Sequence, residues 1–141
     1  MTKSQVSIPQ PIVAASTARR RAPCWRQNVG RGGALGGVHF GMAIAAGRVL
    51  VPITDFADGA ARPEPAHPGV YALNLADGHV VWRALAGNAC AGRKFCQPGY
   101  SASITVAGPL VLAGSTDGHL RIFGASDGKM PGSVLLVYDV R

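Results

Sequence analysis

The residues with the most chemistry to offer are few and scattered. His39 follows the glycine pair Gly36 and Gly37 and precedes Phe40. A neutral imidazole both donates and accepts hydrogen bonds. The segment could therefore hold a polar ligand atom beside an aromatic ring, or His39 could be satisfied by its own loop backbone. Cys90 and Cys96 enclose a short loop, and three fates are open to them: a disulfide if the protein is exported, free thiols, or zinc. Zinc normally takes four ligands, whereas Cys24 is distant and no histidine lies between His79 and His119. No Cys-x-x-Cys-His run supports covalent haem. His67, His79 and His119 fall beside turns or on strand edges, where surface positions are expected. Asp77, Asp117 and Asp127 each precede a glycine and read as turn formers. Five of the eight residues from Gly30 to Gly37 are glycine. That run follows no predicted strand and opens no helix, so it is not a nucleotide cradle. No Ser-His-Asp arrangement or phosphate-binding motif occurs.

Short strands must position these groups. The chain has 141 residues, 48% of them apolar, with 19 Gly and 10 Pro. That is enough for one domain with a packed core, and the glycines and prolines argue against long helices. The net charge is +7, but Lys3, Arg19, Arg20, Arg21, Arg26 and Arg31 supply six of those charges within residues 1–33, where no acidic residue occurs. The remainder carries 8 basic and 7 acidic residues. A basic, solvated arm is expected over residues 1–28, irregular or disordered. Without an aromatic platform or a reader motif, no nucleic-acid function is expected. No run of apolar residues is long enough to span a membrane. No export signal is expected from this stretch, because Ile12-Val13-Ala14-Ala15 is short and the arginines follow it.

From residue 29 onward the pattern is strand-like. Arg48 to Ile53, Val70 to Leu75, His79 to Trp82, Ser103 to Val106, Leu110 to Ala113 and His119 to Phe123 read as strands, the last with period-two alternation. Asp55–Pro68 and 86–99 read as loops. Asp77-Gly78, Asp117-Gly118 and Asp127-Gly128 each signal a two-residue hairpin with positive φ. Two segments repeat. Val70, Ala72, Leu73 and Asp77-Gly78 match Leu120, Ile122, Phe123 and Asp127-Gly128 at an offset of 50. Ala46-Gly47-Arg48-Val49-Leu50-Val51 matches Ala107-Gly108-Pro109-Leu110-Val111-Leu112 at an offset of 61, which assigns an 11-residue excess to the Asp55–Pro68 loop. A period of about 50 residues built from strands alone implies propeller blades.

Ala72, Asn74, Gly78 and Trp82 have the spacing of the tryptophan-docking motif and resemble the repeat of quinoprotein alcohol dehydrogenases. The resemblance implies that Trp82 packs between neighbouring blades. Gly36-Gly37-Val38-His39-Phe40-Gly41-Met42-Ala43 is similar to the Gly-Gly-x-Asn-Trp-x-Pro segment of the same enzymes, with His39 in the Asn place and Phe40 in the Trp place. Val29 to Leu35, Cys90 to Cys96 and Gly114 to Arg121 resemble the polyvinyl-alcohol dehydrogenase branch in particular.

This resemblance covers roughly residues 29–129. It implies an all-β chain, a partial β-propeller of about two four-stranded antiparallel blades spanning 29–141, with Trp82, Cys90 and Cys96 in structural roles. It also implies that Gly37, His39 and Phe40 lie at a pyrroloquinoline quinone site, with calcium beside the cofactor in the parent enzyme. The parent reaction would oxidise a small or polymeric alcohol in the periplasm and pass electrons to the quinone. A non-catalytic propeller scaffold or inactive remnant is the alternative.

Three departures stand out. Residues 1–28 do not fit a preceding blade. Met130-Pro131-Gly132 replaces the strand that should bear a second docking tryptophan. The catalytic base and calcium ligands lie in parts of such enzymes that this chain lacks, so no Asp here takes those roles. Two blades would leave flanking faces bare, exposing Trp82 or its counterpart surface, and self-association is expected.

Overall fold

The computed structural model describes residues 12–15, 24–32, 35–56, 64–94 and 96–135. The described residues form ten strands and no helix. Strands β1 (Ile12–Ala15) and β2 (Trp25–Asn28) make an antiparallel hairpin. Strands β3 (Ala43–Ala45), β4 (Arg48–Ile53), β5 (Gly69–Asn74) and β6 (Val80–Leu85) form an antiparallel sheet in that order, the first blade. Strands β7 (Thr105–Ala107), β8 (Leu110–Gly114), β9 (His119–Gly124) and β10 (Gly132–Leu135) repeat that order as the second blade. The all-β, two-blade reading is borne out.

The docking tryptophan does what its spacing implies. Trp82 lies opposite Ala72, its Nε1–H donates to the Ala125 carbonyl at 3.2 Å, and its indole covers Gly128 so closely that a Cβ there would overlap the ring. It is half-buried between the blades, as the docking motif implies. A bulge where the β5–β6 register shifts between Ala72 and Leu73 leaves Val81 as the extra residue, which turns Trp82 onto the Ala72 face.

Four sequence expectations are corrected. Within the arm placed at residues 1–28, β1 and β2 are regular. Trp25 is a second staple: its Nε1–H donates to the Leu75 carbonyl at 3.0 Å, and its indole covers Gly78. The Asp77-Gly78 turn is a four-residue loop closed by Asn74 N–H to the His79 carbonyl at 2.8 Å. Gly78 alone takes positive φ, at 78°, while the Asp77 carboxylate accepts from the His79 N–H at 3.1 Å. The offset between β4 and β8 is 62, because Arg48 pairs with Asn74 as Leu110 pairs with Gly124. The matching Ala-Gly dipeptides hid a one-residue slip, which would have turned every β8 side chain to the wrong face. Finally, the strand after Lys129 does form. It begins at Gly132, which lies opposite Ile122 as Trp82 lies opposite Ala72.

Two apolar cores result. One, between the blades, holds Leu50, Val70, Ala72, Tyr100, Val111 and Phe123. The other, between the hairpin and the first blade, holds Val13, Trp25, Val49, Ile53, Tyr71 and Leu73.

Candidate functional site

The loop before β3 is shaped by close backbone approach. A Cβ at Gly36 would overlap the Gly32 carbonyl oxygen, so this position excludes any side chain. Thr54, fully buried at the end of β4, anchors the loop: its N–H and Oγ1–H both donate to the Gly37 carbonyl, at 3.3 and 2.9 Å.

His39 bridges the blades from this loop. Its Nε2 lies 3.3 Å from Thr54 Oγ1 and its Nδ1 lies 2.9 Å from Ser101 Oγ. The Thr54 hydroxyl hydrogen is committed to Gly37. His39 Nε2–H therefore donates to Thr54, and Nδ1 accepts from the Ser101 hydroxyl. Both ring nitrogens are occupied within the chain. The ring is thus a tie between the first blade and the segment leading to β7, with no nitrogen left over for a ligand in this arrangement.

Phe40 is held differently. Its ring packs edge-on to His39 at 6.4 Å and is otherwise 75% exposed. It overhangs a cleft of about 560 Å³ whose other walls include Ser101, Ser103, Ser115 and Thr116. The cleft offers one aromatic ring and four hydroxyls, with no cationic or carboxylate side chain among its lining residues. Thr116 Oγ1–H is directed toward the Gln97 and Gly99 carbonyls, at 2.6 and 3.1 Å.

The segment forming that wall leaves the loop closed by Cys90 and Cys96. The structure joins these cysteines, with Cα atoms 5.5 Å apart, so neither thiol is available to zinc. Arg93 bonds the Cys90 carbonyl at 3.2 Å and the Ala89 carbonyl at 3.0 Å across the loop. Tyr100 N–H then donates to the Ile53 carbonyl at 3.3 Å, delivering Ser101 to His39. Gly37, His39 and Phe40 are thus assembled with the loop downstream of the disulfide. Trp82 sits on an outer strand, where it staples one blade to the next.

Two ion-pair clusters escaped the sequence reading. Asp55 is buried with φ at 47°. Its Oδ1 accepts from Arg31 N–H and Nε–H, both at 3.1 Å, and its Oδ2 accepts from His67 N–H at 2.6 Å. Arg31 Nη2 also donates to the Asp55 carbonyl at 3.0 Å. This clamp fixes the start of the glycine-rich run that carries His39. Burial, reinforced by the Asp55 charge, pushes the Tyr71 hydroxyl above its ordinary range. That hydroxyl donates to the His67 carbonyl at 2.7 Å.

In the second blade, Asp117 is more than a turn former. Its carboxylate takes Arg121 Nη1 at 3.0 Å and Nη2 at 2.6 Å, and the guanidinium carbon stands 5.8 Å from the Tyr100 ring centroid. Burial works to raise the Asp117 carboxyl, but hydrogen bonds from Arg121 and the His119 N–H prevail and hold it well below the usual range. A charged residue four positions along a strand from an Asp-Gly turn was the available signal for this pair.

No family model matches the chain. Polyvinylalcohol dehydrogenase from a Pseudomonas species is 43% identical over 108 residues, covering 75% of this chain and 16% of that protein. The protein of the same name from a Sphingopyxis species is 35% identical over 124 residues, covering 84% of this chain and 18% of that protein. The chain spans less than a fifth of the length of either relative. Among solved structures, BamB from Moraxella catarrhalis is similar, with a TM-score of 0.59 at 16% identity, covering 88% of this chain and 31% of that chain. That likeness supports the fold alone: the two sheets are blades of a partial β-propeller. The resemblance to polyvinyl-alcohol dehydrogenase read from the sequence is borne out, for a segment of such a protein. Among the described residues no helix is long and apolar enough to cross a membrane.

Proposed function

We propose that this chain is a segment of a quinone-dependent alcohol dehydrogenase of the polyvinyl-alcohol type, in which Gly37, His39 and Phe40 form part of the wall against which pyrroloquinoline quinone lies. One observation carries the reading: the tie from His39 to Thr54 and Ser101 holds an otherwise unsupported Phe40 over a hydroxyl-lined cleft. This occurs in the segment that resembles the cofactor-contacting region of those enzymes. The exposed Phe40 ring and the Ser103 hydroxyl suit the planar face and polar rim of a quinone. They do not fit the cofactor's carboxylates or a calcium ion, since the cleft lining supplies neither a cation nor a carboxylate.

When bound, the quinone supplies the two-electron oxidation of an alcohol. The chain's own part is positional. Phe40 presents an apolar surface that excludes water, the Ser103 hydroxyl offers a hydrogen bond to an oxygen atom, and His39 keeps the two walls in register. His39 therefore acts through Phe40 and Ser101 and does not itself bond the quinone. The proton leaving the alcohol is taken by a base from another part of the protein, as is any calcium ligand. A periplasmic setting accords with the Cys90–Cys96 disulfide. The second reading, a non-catalytic scaffold, draws its support from the absence of any carboxylate in the cleft lining.

Equilibrium titration with pyrroloquinoline quinone plus calcium, read by quinone absorbance and thermal melting, separates the two. The proposal expects saturable micromolar binding, a raised melting temperature, and about tenfold weaker binding, or ~1.4 kcal/mol, in Phe40→Ala. Binding that Phe40→Ala leaves unchanged would remove the cleft from the site, and no binding at all would favour the scaffold.

A further inference from the structure

Three side chains meet at the cleft in an order that suits covalent chemistry. Ser101 lines the cleft and is partly buried. Its Oγ lies 2.9 Å from His39 Nδ1. The other ring nitrogen, Nε2, lies 3.3 Å from the hydroxyl of fully buried Thr54, whose hydrogen goes to the Gly37 carbonyl at 2.9 Å. Thr54 therefore only accepts from the ring. That puts the hydrogen of the neutral imidazole on Nε2 and the lone pair on Nδ1, facing Ser101. A hydroxyl set on an imidazole lone pair, with the ring fixed by a third group, is the arrangement that activates a serine nucleophile. The backbone seats it, since Tyr100 N–H donates to the Ile53 carbonyl at 3.3 Å just before Ser101.

We propose that Ser101 is a nucleophile that takes an acyl group from an uncharged ester, with His39 as its base and Thr54 as the positioning residue. The inference does not depend on the quinone. Attack forms a bond from Ser101 Oγ to the ester carbonyl carbon, and the serine proton passes to His39 Nδ1. That proton goes to the departing alkoxide as the ester C–O bond breaks. Water then cleaves the acyl-serine, with His39 taking its proton and returning it to Ser101 Oγ as the carboxylic acid leaves. The lining, without a charged side chain, selects a neutral ester. The exposed Phe40 ring offers a wall for its apolar part. Ser103 faces Gly41, where a Cβ would stand 3.2 Å from its Oγ, and brings a further hydroxyl to the same wall. Thr54 carries no charge, so it orients the ring without stabilising the imidazolium as a carboxylate would. Slow acylation is therefore expected, not rapid turnover.

Treatment of the purified 141-residue chain with an alkyl fluorophosphonate, read by intact mass and peptide mapping, tests this. The Ser101 Oγ–P bond forms, the P–F bond breaks and the serine proton leaves through His39. A single adduct on Ser101 is expected. Ser103 lines the same cleft without a histidine bonded to it among the described residues, so it is a control that needs no variant to fold. Ser101 should react about 100-fold faster than Ser103, the contribution of a positioned base. His39→Gln should slow the Ser101 reaction by a similar factor. Thr54→Val should slow it too, and Thr54→Ser, which keeps the hydroxyl, should not. With 4-nitrophenyl acetate, Ser101 should carry the acetyl group in wild type and not in His39→Gln. No adduct, equal reaction of Ser101 and Ser103, or a Ser101 rate that His39→Gln leaves unchanged would overturn the proposal. Quinone binding decides the preceding reading and leaves these outcomes as they are.

Discussion

The two blades share strand order, turn chemistry and a 50-residue register between β5 and β9, yet they are buried differently. In the first blade nearly every residue of β4 and β5 is buried, on both faces. In the second, β8 and β9 alternate between buried and partly exposed residues. Propensity does not explain this, since both pairs are rich in Val, Leu and Ile. Neighbours do: the first blade lies between the hairpin bearing Trp25 and the second blade, while among the described residues the second is covered on one side. Burial in this architecture is conferred by the adjacent blade, and the tryptophan docked on the glycine of an Asp-Gly turn is how that cover is held.

That comparison can be broken at its strongest point first. Trp82→Ala removes the staple between the blades and should cost about 3–5 kcal/mol, seen as a large fall in the denaturant midpoint. Trp25→Ala should cost less of the global transition, because only a two-stranded hairpin is released. Equal losses would mean that the staples are not what separates the blades. Next, Asp117→Asn leaves Arg121 buried beside a neutral partner, at about 3 kcal/mol.

The acid dependence of that pair has a definite sign. The folded Asp117 carboxyl lies below its unfolded value, so its contribution is complete above the ordinary carboxylate range of about 4 and is lost as pH falls below it. Wild type should therefore lose stability on acidification below pH ~4 more steeply than Asp117→Asn, as followed by thermal melts. Reduction of the disulfide, or Cys90→Ser with Cys96→Ser, should cost about 2 kcal/mol and loosen Ser101 more than Trp82. Amide exchange of residues 97–101 would show whether it does. The smallest effects pair two glycines: Gly128→Ala forces a Cβ into the Trp82 indole at positive φ and should cost more than ~1 kcal/mol. Gly132→Ala, at the matching outer strand, should be neutral or stabilising by less than ~1 kcal/mol.

Much of the fold was legible because its devices are local. Asp-Gly turns, β-branched runs and the spacing from Ala72 to Trp82 each act within a dozen residues. What was missed acts over longer distances or mimics a simpler pattern. Trp25 sits in the polar strand Trp25–Asn28 and meets its glycine 53 residues later, so nothing nearby marks it as a staple. The Ala-Gly dipeptides before β4 and before β8 look alike, but Ala46-Gly47 is matched in space by Gly108-Pro109, because the pairing of the strands fixes the turn. At the site, His39 and Phe40 were visible as a pair. Their division of labour was not, since it depends on Ser101, 62 residues away, and on a threonine hydroxyl already spent on Gly37. Asp55 lay in a loop that read as merely polar, and only the folded chain brings Arg31 to it.

The most direct test of the staple account is hydrogen exchange, followed peptide by peptide, in wild type and Trp82→Ala. The account predicts that the substitution accelerates exchange in β7 to β10 while β4 and β5, still covered by the Trp25 hairpin, keep most of their protection. Uniform acceleration across both blades, or no change in the second, would contradict it.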